Sequence, residues 1–219
     1  MTKLNRRQTM ALMGAAGLAP MAPAILRAQD KPAGLPDTMI WSTYDVGSTG
    51  YVEATAIADA MIKNYGTRVR LLPSGSGVGR IIPLKQGQAN TAWLANELYF
   101  ATRGIFDFAT PEWGPQNMRT ICGRPASFGI AVTQESGIET IEDLRGKRVA
   151  YAAANPSVAI KVDTMIAAKG LTRDDVEVIE FPSYADTLRA LTQGQADAAG
   201  GALTAAALTE LEASPRGIR

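Results

Sequence analysis

The sequence predicts an α/β protein made of two similar units in tandem. The first observation is a repeat, because the segment LKQGQANTA at residues 84–92 reappears as LTQGQADAA at residues 191–199. Each copy ends an apolar helical stretch, supplies a glycine suited to a left-handed helix stop, and leads into small apolar residues. The second observation is that a strand-like run and a Pro-Ser turn precede both copies. Two such units joined by a hinge would form a cleft, where small ligands bind.

The first unit alternates strand and helix patterns. The predicted elements are strands at 39–43, 69–72 and 90–94, and helices at 51–65 and from the glycine loop through 84. The helix at 51–65 places its apolar side chains on one face, and Gly66 ends it. The glycine loop at residues 75–79 separates a strand from a helix. Residues 102–116 contain several Gly and Pro residues and are predicted to be irregular.

The second unit repeats this order after a passage around residues 123–125. The predicted elements are strand-like runs at 119–122 and 129–133, a helical turn at 141–144, strands at 149–152, 176–181 and up to 199, and helices at 158–169 and 184–193. Gly170 stops the first of these helices, and Ser183 with Asp186 predicts a capping box for the second. Strand–helix–strand units of this length require right-handed crossovers and a parallel sheet.

The composition excludes several classes of function. The 219 residues have a formal net charge of +1, which gives no electrostatic basis for nucleic-acid binding. The chain has no histidine, so His-based catalytic triads and His metal ligands are excluded. Its single cysteine, Cys122, cannot form an internal disulfide, and we predict a buried free thiol there.

The N-terminus has the pattern of an export signal. Lys3, Arg6 and Arg7 form a positive region, an apolar stretch follows, and small residues offer cleavage sites after Ala24 or Ala28. The Arg-Arg pair resembles a twin-arginine signal, although the general secretion route stays open. We therefore predict a signal peptide at residues 1–28, an exposed linker at 29–37 and a periplasmic location.

The glycine loop admits three interpretations. Its pattern is G-x-G-x-G, and Arg80 stands where a dinucleotide-binding loop has its third glycine. A plain glycine-rich turn without a ligand is the second possibility. We favour the third, a backbone nest that presents N–H groups and Ser hydroxyls to a small anion. No cofactor is therefore predicted.

Two further loops lie at strand-to-helix junctions, one at Ser48 and Thr49 and the other at residues 155–157. Such loops line the ligand crevice of open α/β sheets. One helix N-terminus contributes about 0.3–1 kcal/mol to anion binding, whereas micromolar affinity needs about 8 kcal/mol. Several loops and an arginine are therefore required. Arg80 and Arg124 are the candidates, and each could instead be a solvated surface arginine.

Catalysis is not expected. The carboxylates are not arranged as an acid–base dyad, and no Gly-x-Ser-x-Gly nucleophile elbow is present, which disfavours a secreted α/β enzyme with a Ser or Asp nucleophile. A sensor-kinase input domain is disfavoured because no segment after the signal is apolar enough to span a membrane.

An ordered set of short motifs resembles the TAXI-type solute-binding subunit of tripartite ATP-independent periplasmic (TRAP) transporters. The motifs are GSTGY at 47–51, SGSGV at 74–78, LKQGQAN at 84–90, Asn96-Glu97, SGI at 136–138 and DLRGKRV at 143–149. The resemblance covers residues 38–219. The last motif alone is shared widely among type 2 periplasmic binding proteins.

The resemblance implies a type 2 periplasmic-binding-protein fold with two Rossmann-like lobes, parallel-rich sheets and an interdomain cleft. The lobes would span residues 38–123 and 124–219. The protein would bind a small carboxylate or amino acid and deliver it to the TRAP membrane permease. Together with the strand-to-helix loops, the resemblance predicts these ligand-binding residues: Ser48, Thr49, Tyr51, Ser74, Gly75, Ser76, Asn96, Glu97, Arg124, Asn155 and Ser157.

The sequence departs from the family pattern at three places. Gly50 replaces a usual aromatic residue, residues 152–157 contain fewer hydroxyl donors, and residues 200–202 are smaller. Family members also continue beyond this point, so we expect an incomplete first lobe and a truncated second lobe. The alternative is a binding protein of an ATP-driven (ABC) importer for sulfonates, nitrate or a thiamine precursor.

Overall fold

The computed structural model of the chain describes residues 30–219, and the predicted signal peptide lies outside them. The first half contains β1 Thr38–Thr43, α1 Thr49–Tyr65, β2 Arg68–Pro73, α2 Gly77–Lys85, β3 Thr91–Ala92 and α3 Asn96–Arg103. The second half contains β4 Phe128–Val132, β5 Arg148–Ala152, α4 Pro156–Ala167, β6 Glu177–Phe181, α5 Tyr184–Thr192, β7 Ala198–Ala202 and α6 Ala206–Glu212. Short 3-10 helices span Phe106–Phe108, Gln134–Ser136, Ile141–Leu144 and Arg173–Asp175.

Each half forms its own sheet, and we call the halves the first lobe and the second lobe. The first sheet has the order β2-β1-β3 and is parallel, with Trp41 opposite both Leu71 and Thr91. The second sheet has the order β4-β7-β5-β6. In it, β5 runs parallel to β6 and β7, whereas β4 runs antiparallel to β7. Because parallel strands share one direction, their following loops emerge at one edge of each sheet.

The sequence repeat corresponds to a repeated structure. Gly87 and Gly194 follow α2 and α5 with φ values of 68° and 74°, which confirms the predicted left-handed helix stops. Asn90 accepts a hydrogen bond of 2.8 Å from the backbone N–H of Ile40. At the same place in the second copy, Asp197 accepts one of 3.1 Å from the backbone N–H of Arg148. Each side chain therefore links the start of the strand after its helix to the neighbouring inner strand, which is β1 in the first sheet and β5 in the second.

The bond at Asp197 supports a stability prediction. Its carboxylate also pairs with the Arg148 guanidinium at 2.6 Å, which lowers the pKa of Asp197. We expect Asp197→Ala to reduce the free energy of unfolding by about 2 kcal/mol, because hydrogen bonds to charged groups contribute about 1.5–3 kcal/mol. A lowered carboxyl pKa stabilises the fold above the unfolded pKa of about 4, and this contribution disappears as the pH falls through the folded value.

Urea unfolding near neutral pH and near pH 3 measures this contribution. The difference between wild type and Asp197→Ala should shrink at the lower pH. This pH lies below the unfolded pKa of about 4, so the unfolded chain then binds the proton that the folded Asp197 carboxylate excludes. The control is Asp174→Ala, which removes an exposed carboxylate. An effect of Asp197→Ala that is equal at both pH values would contradict the claim that the charged Asp197 carboxylate stabilises the fold.

The segment between the lobes departs from the prediction. Residues 119–122 do not form a strand, and residues 119–127 are exposed. Ile121 is 79% exposed, and Cys122 is a free exposed thiol, so the prediction of a buried thiol was wrong. The physical reason is that an apolar run acquires strand structure only beside a partner strand, and no described strand lies next to this one.

Helix α3 was not predicted, and its first residue explains why. Ala95 stands at the N-cap with φ −115° and ψ −120°, and no side chain caps the helix. The usual Ser, Thr, Asp or Asn signal for a helix start is therefore absent. Gly104 ends the helix with φ 63°.

Packing joins the two lobes. A first-lobe core contains Ile81, Phe100, Ala101 and Phe108, and Ile160 from helix α4 of the second lobe packs against it. Residues 31–219 accordingly form one unit by their contacts. The two lobes thus meet at helix α4.

Candidate functional site

The loops at the carboxyl ends of the strands contact one another across the two lobes. We call this place the interlobe site, and it comprises loops 44–49, 74–76, 153–157, 182–185 and 203–205. Four hydrogen bonds cross it: Ala185 N to Asp45 Oδ2 at 2.8 Å, Arg189 Nη2 to Val46 O at 3.2 Å, Thr204 Oγ1 to Thr49 Oγ1 at 3.2 Å, and Asn155 Nδ2 to Gly75 O at 3.4 Å. Loops far apart in sequence therefore form one surface, which is the arrangement expected for a ligand site.

Five of the described helices begin at the interlobe site, and all except α6, whose N-cap is Ala205, have a side-chain cap. The caps of α1, α2, α4 and α5 are Ser48, Ser76, Asn155 and Ser183, whose side chains accept hydrogen bonds from Tyr51 N, Gly79 N, Val158 N and Asp186 N. Helix N-termini carry partial positive charge, so negative groups are stabilised beside them. One such group is already present, because the Asp45 carboxylate accepts from the N–H of Ala185 in the first turn of α5.

A buried ion pair lies beneath the first-lobe loops. Arg80 is 0% exposed and Glu97 is 2% exposed, and Arg80 Nη2 lies 2.6 Å from Glu97 Oε1. Arg80 also donates to Ser74 O at 3.1 Å, and its guanidinium lies 3.8 Å from the ring centroid of Tyr44. Burial and the neighbouring Glu97 carboxylate raise the pKa of Tyr44. Glu97 further accepts from Ala95 N at 2.8 Å, so it orders the loop before α3.

Some buried polar atoms at the interlobe site or directly beneath it have no hydrogen-bond partner among residues 30–219. They are Asp45 Oδ1, Arg80 Nε and Ser157 Oγ. Leaving such an atom unpaired costs about 1–3 kcal/mol. These atoms are therefore places where a bound polar molecule would recover free energy.

The structure brings most of the predicted ligand residues together. At or beside the interlobe site lie Ser48, Thr49, Ser74, Gly75, Ser76, Glu97, Asn155 and Ser157. Tyr51 and Asn96 are half-buried in the first turns of α1 and α3. Arg124 lies apart in the exposed segment and donates from Nε to Glu53 at 2.9 Å. Their roles in binding a ligand remain predictions.

Sequence reasoning missed several residues of the site. The residues missed are Tyr44, Asp45, Lys161, Ser183, Arg189 and Thr204. A signal existed for Ser183, because it follows Pro182 as Ser74 follows Pro73 in the repeat. For Asp45, the signal was a carboxylate in the loop after β1. Nothing in the sequence marks Lys161, a half-buried residue of helix α4.

An open groove of about 550 Å³ lies elsewhere, on the second lobe, with Ile130, Val132 and Leu144 among its lining residues. Its two cationic residues, Lys169 and Arg219, pair with Glu142 and Glu139. The groove is therefore apolar with neutralised charges, and it suits a small polar ligand less well than the interlobe site does.

Within residues 30–219, the His, Cys, Asp and Glu side chains form no group that could hold a metal ion. In the same part of the chain, no helix combines the length and hydrophobicity needed to cross a bilayer.

The comparisons with known proteins concern the fold and the second lobe. The family model described as NMT1/THI5 like matches residues 120–218. The periplasmic aliphatic sulphonate binding protein SsuA from Escherichia coli has a similar structure, with 20% identity, a TM-score of 0.53, and coverage of 84% of this chain and 56% of SsuA. The chain thus spans little more than half the length of SsuA. No curated protein sequence matches the chain.

Arginine-binding proteins have similar structures too. An ancestral arginine-binding protein bound to arginine is 17% identical, with a TM-score of 0.54 and coverage of 84% of this chain and 78% of that protein. Holo ArgBP from T. maritima is 16% identical, with a TM-score of 0.54 and coverage of 84% and 76%. These similarities confirm the predicted fold class, an α/β fold of the type 2 periplasmic-binding-protein kind.

Proposed function

We propose that this protein is a periplasmic solute receptor that closes two lobes over a small organic acid or amino acid and performs no chemistry on it. One observation carries the proposal. Strand-end loops of both lobes meet through four cross-lobe hydrogen bonds and leave buried polar atoms unpaired between them. Hinge closure of two domains around a ligand uses this geometry.

The ligand class follows from the helix ends. Four capped helix N-termini lie at the interlobe site, and such ends favour negative charge. SsuA is an aliphatic sulphonate binding protein, and the ancestral protein is bound to arginine. The negative charge of a sulfonate or carboxylate ligand complements the partial positive charge of these helix N-termini. Arginine would present its carboxylate to them in the same way.

The membrane partner is the second part of the proposal. Of the two candidates, we favour the ABC importer over the TRAP permease, because the likeness to the aliphatic sulphonate binding protein SsuA corresponds to the sulfonate ligand of that alternative. Gene neighbours provide a test. An adjacent ATPase gene would support the importer, and an adjacent gene for a fused large membrane subunit would support TRAP delivery.

Isothermal titration calorimetry tests the receptor function. The panel is ethanesulfonate, succinate, glutamine and arginine, added to the purified chain. We expect at least one compound to bind with a free energy of about 8 kcal/mol, which corresponds to micromolar affinity. A protein that melts cooperatively but binds no member of the panel would contradict the proposal.

A further inference from the structure

Helix α4 carries two polar side chains, Ser157 and Lys161, that have no hydrogen-bond or ion-pair partner in the described part of the chain. Ser157 is 0% exposed, and its Oγ makes no hydrogen bond. Lys161 lies one helical turn later, so the two side chains share a face. Among residues 30–219, no hydrogen bond or salt bridge engages the Lys161 ammonium.

This face of α4 is directed at the first lobe. Val158, Val162 and Ile166 are buried, and the last two belong to a second-lobe core. Ile160 instead packs against the first-lobe core. At 3.6 residues per turn, positions 157, 160 and 161 lie together on the side opposite the second-lobe face. At the helix start, Asn155 donates to Gly75 O across the lobes at 3.4 Å. Ser157 and Lys161 therefore line the interlobe site.

The electrostatic surroundings leave Lys161 as a cation that a ligand could pair with. Its ammonium lies 4.9 Å from the ring centroid of Phe128. Burial lowers the pKa of Lys161, and nearby Arg80 lowers it further, while Glu97 opposes the shift. Arg80 itself is already engaged by Glu97 at 2.6 Å. An anion beside Lys161 would offset the cost of its partial burial, since buried charges are stable only when paired.

Resting on the receptor function above, we propose that Lys161 and Ser157 bind the acid group of the ligand, a sulfonate or a carboxylate. Lys161 supplies the countercharge, and Ser157 donates a hydrogen bond from its hydroxyl. The ligand class is thereby narrowed to anions and zwitterions whose acid group reaches α4.

The test compares ethanesulfonate and succinate with the neutral ethyl methyl sulfone by calorimetry. Lys161→Met should weaken binding of the anions about 10–100-fold, because charge-assisted hydrogen bonds contribute about 1.5–3 kcal/mol. Lys161→Arg keeps the charge and should retain affinity within about threefold. The matched control, Lys63→Met, removes an exposed charge on α1 and should change nothing.

Ser157→Ala separates ligand binding from folding. Because the Ser157 hydroxyl is buried and unpaired, its removal should preserve or raise the melting temperature of the free protein. The same substitution should weaken ethanesulfonate binding severalfold. A purely structural serine would give a loss of stability with unchanged affinity, which would contradict the proposal.

The outcomes distinguish the two proposals. If the wild type binds an anion and Lys161→Met binds it equally well, the role of Lys161 is overturned and the receptor function stands. The same conclusion follows if only the neutral sulfone binds. If no compound of either panel binds the folded wild type, the receptor function fails and this inference fails with it.

Discussion

Glu97→Ala should lower the free energy of unfolding by about 3–5 kcal/mol, because it leaves the Arg80 guanidinium buried without its countercharge. Arg80 would keep its bond to Ser74 O and its place against the Tyr44 ring. Neither contact neutralises the charge. Chemical unfolding in urea measures the loss.

Two further variants show that the loss is due to the buried charge. Replacing both partners, as Arg80→Met with Glu97→Met, should recover much of the stability, since apolar replacements of buried ion pairs are often neutral or stabilising. Arg124→Ala breaks an exposed pair with Glu53 and should cost less than about 1 kcal/mol. A small effect of Glu97→Ala, similar to that of Arg124→Ala, would contradict the buried pair.

Gly75→Ala should hold the two lobes apart. A Cβ atom at Gly75 would lie 2.5 Å from Ser183 Cβ and 3.3 Å from Ser183 Cα across the lobes. Overpacking of this kind costs about 1–3 kcal/mol, which shifts the closed population by about tenfold or more. We therefore expect a comparable loss of ethanesulfonate affinity.

Amide hydrogen exchange at Ala185 reports this opening directly. Its N–H donates to Asp45 Oδ2 of the other lobe at 2.8 Å, and the residue is 1% exposed. Exchange at Ala185 should accelerate about tenfold in Gly75→Ala. The control is Gly123→Ala, whose added Cβ would meet no atom within 4 Å. Unchanged exchange in Gly75→Ala would show that the lobes do not meet at this residue.

Much of the fold was predictable because its signals are local. Glycine stops such as Gly66 and Gly194, and the Pro-Ser turns of the repeat, depend on backbone conformations that few residues adopt. Helix α3 was missed because Ala95 gives no capping signal. The strand predicted around Ile121 was wrong because strand formation depends on a partner, which the local sequence does not specify.

The site was predictable to a smaller extent. The loops were found because the ends of parallel strands are known from the strand pattern alone. The hydrogen-bond or ion-pair partner of each side chain was not predicted, because pairing depends on tertiary contact. Arg124 was chosen for its charge but pairs with Glu53 outside the loops. Lys161 was overlooked, because only the packing of Ile160 on the first-lobe core shows which face of α4 meets the first lobe.

Disulfide trapping of the closed lobes tests the central claim most directly. Thr49 Oγ1 and Thr204 Oγ1 lie 3.2 Å apart across the interlobe site. Thr49→Cys and Thr204→Cys, combined with Cys122→Ser, should form a disulfide under mild oxidation. The oxidised protein should neither take up nor release ethanesulfonate, and reduction should restore exchange. Failure of the disulfide to form, or equal ligand exchange in the oxidised and reduced proteins, would contradict a receptor that traps its ligand between two lobes.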